Sequence, residues 1–411
     1  MDTANLTEVI NAYSNKEIVY SISAQKSLKS LSSGEYEYTL YALSPYGYAI
    51  LYDATGNLLE ACYAEGAEAP IDVTSSVVYY YGGPFVYCTY EDGIFTNSYD
   101  GEVLTEDILS EASSVEASVK AVQNTVSARS ASNRASTIST RSLTTYSVQP
   151  SYFANLTRHF GINENGTCTV LAASILFGYY DNYVNDNFVA SEYENGVGTT
   201  RFFHELLNDY VYGFSEEGGI FITDALDGLN NYLYTRDVCA HMNSERASQS
   251  DAISQIIISL QQGDPVIASM GTTYDADWDH TVVIYSASFY QSDPIGTACF
   301  TMHMGWHNSS EVESETEFVA SASWFYECGY LDVYEGHNYG PYVYTSSHRK
   351  KTCSNCDHIV TESHTYGEWT RTPIRHSRTC SVCGYTQLGV HNYVDMITGW
   401  FCSDCLYPKP N

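Results

Sequence analysis

The sequence predicts an α+β protein built from several units, on three observations. Short alternating apolar runs typical of strands recur through residues 35–91 and 265–334, an apolar helical run begins at Cys168, and residues 337–411 repeat a Cys/His pattern instead. At 411 residues the chain is too long for one ordinary domain. Charge marks the boundaries: residues 1–109 carry net −13, 110–150 carry +2, 151–345 carry −22 and 346–411 carry +2, which together make the −31 of the whole chain.

Taken in order, Asn5 to Lys29 reads as helical, and Glu35 to Leu43 alternates as a strand. The stretch GYAILYDATGNLLEACYAEG then places two runs around Asp53-Ala54-Thr55-Gly56, a hairpin turn. A second hairpin pairs VVYYY with PFVYCTY across Gly82-Gly83. Residues 1–109 therefore read as a small α+β unit. Residues 110–149 are rich in Ser, Ala and Thr, with no aromatic before Tyr146, too little apolar surface to offset ordering entropy; they read as a linker, helical at its start. Residues 150–336 open with the helix after Cys168, continue with helices at Thr223–Tyr234 and Ser250–Gln261, the latter stopped by Gly263, and end in the strands PVIASM, HTVVIYSAS, ACFTMHM and GYLDVY.

Composition excludes some functions. A polyanion of net charge −31 is a poor partner for nucleic acid, whose phosphates require a basic surface. No run approaches eighteen apolar residues, so no membrane-spanning helix is expected. The first thirty residues lack the apolar core of a leader, while 38 Tyr and seven Lys suit a secreted or cell-surface protein, so the expectation is a secreted protein whose leader is absent from this numbering.

The sharpest chemical signal is ENGTCTVLAASILFGYYDNY. A thiol behind Gly166 at the head of an apolar helix sits where N-terminal N–H groups and the macrodipole stabilise a thiolate, although a buried structural cysteine fits the same pattern. A nucleophilic thiol requires a base on another element. His280, which opens the strand HTVVIYSAS, can supply it, and His303 in FTMHMGWHN is then the candidate for orienting the His280 ring. Cys239, Cys299 and Cys328 lie in apolar or aromatic contexts and read as core thiols.

The order Cys-bearing helix, helix ending in Gly-Asp-Pro-Val-Ile, His at a strand start, and strand ending in Gly305-Trp306 resembles bacterial papain-like cysteine peptidases, the streptopain-like group in particular. Cys168, Ala172, Ala173, Tyr179 and Tyr180 match that group's Cys-bearing helix, and the hairpin at residues 47–66 resembles its inhibitory propeptide. The resemblance covers roughly residues 150–335. It implies a papain-like fold, in which the Cys-bearing helix packs beside an antiparallel sheet, and a peptide or protein substrate cleaved by Cys168 with His280. It also implies latency until the linker is cut. Two positions depart from the pattern: no Gln lies between Gln149 and Cys168, so Asn163 or Asn165 is the expected oxyanion donor, and His303 stands where the family has Asn. A Cys-His-His set also resembles the cell-wall amidase and endopeptidase branch, and a non-catalytic binding protein is the third reading.

The tail repeats. His337-x-Tyr339, His364-x-Tyr366 and His391-x-Tyr393 each precede a Cys-x-x-Cys pair, namely Cys353/Cys356, Cys380/Cys383 and Cys402/Cys405, and His348 and His376 stand just before the first two pairs. Thiolates and imidazoles at this spacing suit tetrahedral Zn²⁺, as in zinc ribbons, with disulfides the competing reading. Each His-x-Tyr can serve its own unit or the preceding one. The tail's positive balance suits a cell-surface or host protein partner.

Overall fold

The computed structural model describes residues 3–14, 18–98, 101, 103–106, 109–110, 113–114, 116–117, 119–121, 143–154, 156, 160, 166–194, 202–212, 219–271, 280–291, 294–305, 316–397 and 399–410. The chain divides into two compact units. One comprises Met1–Val238 with Met242–Leu331, the other Cys239–His241 with Asp332–Asn411.

The larger unit corrects the papain-like expectation of a helix beside a small sheet, because strands dominate and join one mixed sheet of fifteen. From one edge the order is β10 (Ala240–Glu245), β15 (Phe325–Val333), β11 (Val266–Met270), β12 (His280–Tyr290), β13 (Cys299–His303) and β14 (Thr316–Ser321). It continues with β4 (Asn57–Cys62), β3 (Tyr48–Tyr52), β2 (Tyr36–Ser44), β1 (Ser21–Ser30), β5 (Tyr79–Gly83), β6 (Val86–Glu91), β7 (Ile94–Asn97) and β8 (Val103–Leu104). The halves meet where β14 pairs with β4, Phe318 opposite Cys62 and Ala320 opposite Glu60. One core crosses that seam, since Leu43, Ala61 and Tyr63 cluster with Cys299 and Val319. Alternation specifies that a strand exists and which face it buries, but not which edge it meets, and an unpaired edge invites a partner.

Two local readings also change. The first helix is Thr3–Ala12, and Ser21–Ser30, expected to be helical, alternates in burial and pairs with β2. Residues 143–147, expected within the linker, form β9 (Leu143–Ser147) against the second half of β12.

The helix Cys168–Tyr183 starts where the sequence places it and packs on β11 and β12. It has no polar face, and accordingly every side chain from Cys168 to Asp181 is buried. Gly178 is required by close approach: a Cβ there would lie 2.2 Å from the Phe160 ring. Helix Gln249–Gln262 begins on Ser248, whose hydroxyl accepts the Asp251 N–H, and stops at Gly263 in the left-handed region. No described helix is long and apolar enough to cross a membrane.

The smaller unit is a run of short antiparallel sheets, one per repeat: Val343–Tyr344 with His348–Thr352 and Ile359–Ser363, then Thr370–Arg371 with Arg375–Thr379 and Thr386–Val390, then Tyr393–Met396 with Gly399–Cys402. Each Cys-x-x-Cys forms the same knuckle. The N–H of Asp357, Gly384 and Leu406 donates to the carbonyl of Cys353, Cys380 and Cys402 respectively, at 3.1, 3.0 and 2.9 Å, with all three donor residues at positive φ.

Candidate functional site

The Cys168 thiol lines a small cleft with Gly219, Ile220, Phe221, Ser269, Thr281 and Tyr326. Burial pushes this thiol above its ordinary value, opposed by hydrogen bonds from Thr281 and Thr169. Beneath it runs a chain of hydroxyls. Thr169 Oγ1 lies 2.9 Å from Thr281 Oγ1 and donates to the Ile220 carbonyl at 2.7 Å, and Thr281 Oγ1 lies 3.2 Å from Ser269 Oγ. Glu327, fully buried, caps helix Ile222–Thr235 by accepting the Ile222 and Thr223 N–H groups at 3.1 and 2.8 Å. Ser269, Thr281 and Glu327 carry no motif, so the sequence did not single them out.

His280 begins β12, one position before Thr281, and is buried. Its Nε2 lies 2.6 Å from the Met304 carbonyl oxygen. A carbonyl only accepts, so Nε2 carries the proton and Nδ1 the lone pair. Burial holds the ring down at about 4. Thr281 and Thr169 act on the Cys168 thiol, and the Met304 carbonyl orients the His280 ring. His303 is buried on β13 and its Nδ1 accepts the Gly305 N–H at 3.1 Å, a local turn contact. Asn163, Asn165 and Trp306 lie outside the described residues. Cys299 and Cys328 are core thiols as read, each pushed up to about 12 by burial.

The tail gathers its ligands into three groups: Cys239, His337, Cys353 and Cys356; His364, Cys380 and Cys383; and His376, His391, Cys402 and Cys405. Each His-x-Tyr histidine thus serves the Cys pair that follows it. In the first group Cys239 Sγ lies 3.9 Å from Cys353 Sγ and 3.6 Å from Cys356 Sγ, and His337 Nδ1 lies 3.3 Å from Cys356 Sγ. In the last, His376 Nδ1 is 3.3 Å from His391 Nδ1 and 3.6 Å from Cys402 Sγ. Bonds of about 2.3 Å to sulfur and 2.0–2.1 Å to nitrogen around a tetrahedral ion put donor atoms about 3.3–3.8 Å apart, close to these separations. Second-sphere contacts repeat too. His364 Nε2 and His391 Nε2 lie 2.8 and 2.7 Å from the carbonyls of Thr345 and Thr372, which leaves the Nδ1 lone pairs facing Cys383 and Cys405, at 3.4 Å each. Burial raises the Cys353 thiol, but N–H groups led by that of Asn355, together with His337, outweigh it and hold the thiol at about 6.

Two assignments change. Cys239, read as a core thiol, belongs to the first group and to the smaller unit, in the short piece Cys239–His241. His348 stands outside all three groups, with Nδ1 2.9 Å from Ser347 Oγ. The three Cys-x-x-Cys pairs of the tail are thiols and not disulfides. No family model matches this chain, and no curated protein matches it at a significant level.

Proposed function

We propose that the protein is a thiol-dependent peptide hydrolase, secreted and latent until the 110–149 segment is cut, with structural Zn²⁺ in its tail. The observation that carries the reading is a thiol in the first turn of a buried helix, open to a cleft and touched by the residue next to a neutral histidine of defined tautomer. On this reading Cys168 Sγ attacks the peptide carbonyl carbon as His280 Nδ1 takes the thiol proton. The backbone N–H of Cys168 faces the developing oxyanion, and the proton returns to the leaving amine as the C–N bond breaks. Water then hydrolyses the thioester. Both groups rest neutral at pH 7, so the proton transfer accompanies substrate binding rather than preceding it.

Iodoacetamide should label Cys168 in the folded protein before Cys62, Cys88, Cys299 and Cys328, His280→Ala should slow that labelling, and Cys168→Ala should abolish peptide cleavage. Equal labelling rates would remove the nucleophile. Cleavage of peptidoglycan fragments with peptides left intact would assign the cell-wall reaction instead. A second reading, a peptide-binding protein without turnover, is favoured by the hydroxyl contacts on the thiol; it predicts peptide binding that Cys168→Ala leaves unchanged.

Zn²⁺ is the ion of choice for the tail because each four-donor group offers two or three thiolates with imidazole, a set that hard cations decline. These sites would hold the repeats in register and present them to a cell-surface partner.

A further inference from the structure

Among the described residues the middle group has three donors where the outer two have four, and the position of the fourth is identifiable. His376 closes the last group from the strand Arg375–Thr379 of the preceding repeat, approaching the first cysteine of the pair, Cys402, at 3.6 Å. Cys239 likewise approaches both cysteines of the first pair. Twenty-seven positions before His376, on the corresponding strand His348–Thr352, stands Arg349. Its side chain reaches the same place in the middle group: NH1 donates to Cys380 Sγ at 3.2 Å, and both residues are buried.

The surroundings exchange as a set. Across the hairpin Arg349 faces Glu362, and His376 faces Gly389 at the equivalent register. Nε and NH2 of Arg349 donate to Glu362 Oε2 at 3.0 and 2.6 Å. At Gly389 a Cβ would lie 2.3 Å from His376 Nε2, so the histidine requires the glycine. Tyr342 lies under Arg349 where Trp369 lies against His376, again 27 positions on. One repeat therefore carries Arg with Glu where the next carries His with Gly.

A guanidinium has five donors, no lone pair and a permanent positive charge. It cannot ligate a metal, and it neutralises a thiolate at short range through a charge-assisted hydrogen bond. We propose that Arg349 takes the place of the metal in the middle repeat: the chain holds two Zn²⁺, in the outer groups, and none at Cys380 and Cys383, where the guanidinium donates to Cys380 Sγ. This rests on the zinc reading of the outer groups and refines it.

The test is metal content of the full chain, loaded with Zn²⁺, passed through a desalting column and measured by native mass spectrometry. Two ions are expected in the wild type and three in Arg349→His with Glu362→Gly, which rebuilds the His/Gly arrangement around the middle group. In the zinc-loaded wild type iodoacetamide should modify Cys383, the partly exposed member of the middle pair, and spare the cysteines of the outer groups; the double variant should protect Cys383 as well. Three ions in the wild type, or two in the double variant with Cys383 still alkylated, would overturn the proposal. No ions at all would remove the zinc reading itself, so the two failures are distinct. The wild-type count and alkylation map decide the matter even if the variant does not fold.

Discussion

Two buried titratable residues of the larger unit act on stability in opposite directions. His280 is held at about 4 by burial, below its ordinary 6.5. The unfolded chain therefore binds the extra proton first, and His280 lowers stability as pH falls from 6.5 towards 4, by about 3 kcal/mol in all. Glu60, on β4 at the seam with β14, is raised by burial from 4.5 to about 7, against hydrogen bonds from Tyr87, Tyr81 and Tyr48 that favour its charged form. Here the folded state holds the proton longer, so stability is present below 4.5 and is lost as pH rises through 7, again by about 3 kcal/mol. Across pH 4.5–6.5 the two slopes offset each other. Urea midpoints of Glu60→Gln should therefore rise steeply with pH over that window, whereas those of the wild type should be flatter; parallel profiles for the two proteins would show that the Glu60 shift does not operate. The same burial bears on the thiol. With Cys168 raised and His280 neutral, labelling of Cys168 should climb only above pH 9 and show no inflection near pH 6.

Among the elements, the repeat hairpins derive their order from the knuckles, because their strands are two to five residues long and largely exposed, too short to stand alone. On the zinc reading, an ion at the first group would do more than hold one hairpin. Cys239 and Cys353 are 114 positions apart, and an ion held only by the folded arrangement would stabilise that long-range junction by its binding free energy. Cys239→Ser should lower the zinc content by one ion and bring the chelator-treated and metal-loaded melting curves closer together. His348→Ala, outside every group, should change neither. If the serine variant keeps its full complement of metal, Cys239 is a bystander.

For the whole molecule, the β4–β14 seam governs what happens when the segment between the N-terminal strands and the Cys168 helix is cut. Arg129, Arg134 and Arg141 stand in that Ser/Ala/Thr-rich stretch, in a chain otherwise poor in basic residues, so limited trypsin treatment should cut there first. The N-terminal fragment is nonetheless held by ladder hydrogen bonds and by a core that includes Cys299 and Val319. After the cut, the two fragments should co-elute in native size exclusion and separate only in denaturant. An N-terminal fragment that elutes alone in native buffer would show that the seam contributes little.

Sequence by itself determined what depends on near neighbours. The Cys168 helix, the hairpin at Asp53–Gly56, the stop at Gly263, the strand opened by His280 and the 27-residue repeat were all legible, since periodicity, turn chemistry and spacing are local properties. Tertiary structure decided what converges from a distance. Cys239 looks like any core thiol until the fold brings it beside Cys353 and Cys356, and a ligand so remote in sequence leaves no spacing signal. The histidine at 348 drew attention by residue type, whereas strand register assigns the role to Arg349, one position on, because successive side chains point to opposite faces. The seam between β4 and β14 was equally invisible: an alternating strand records which face is buried, and only packing selects the edge that completes it.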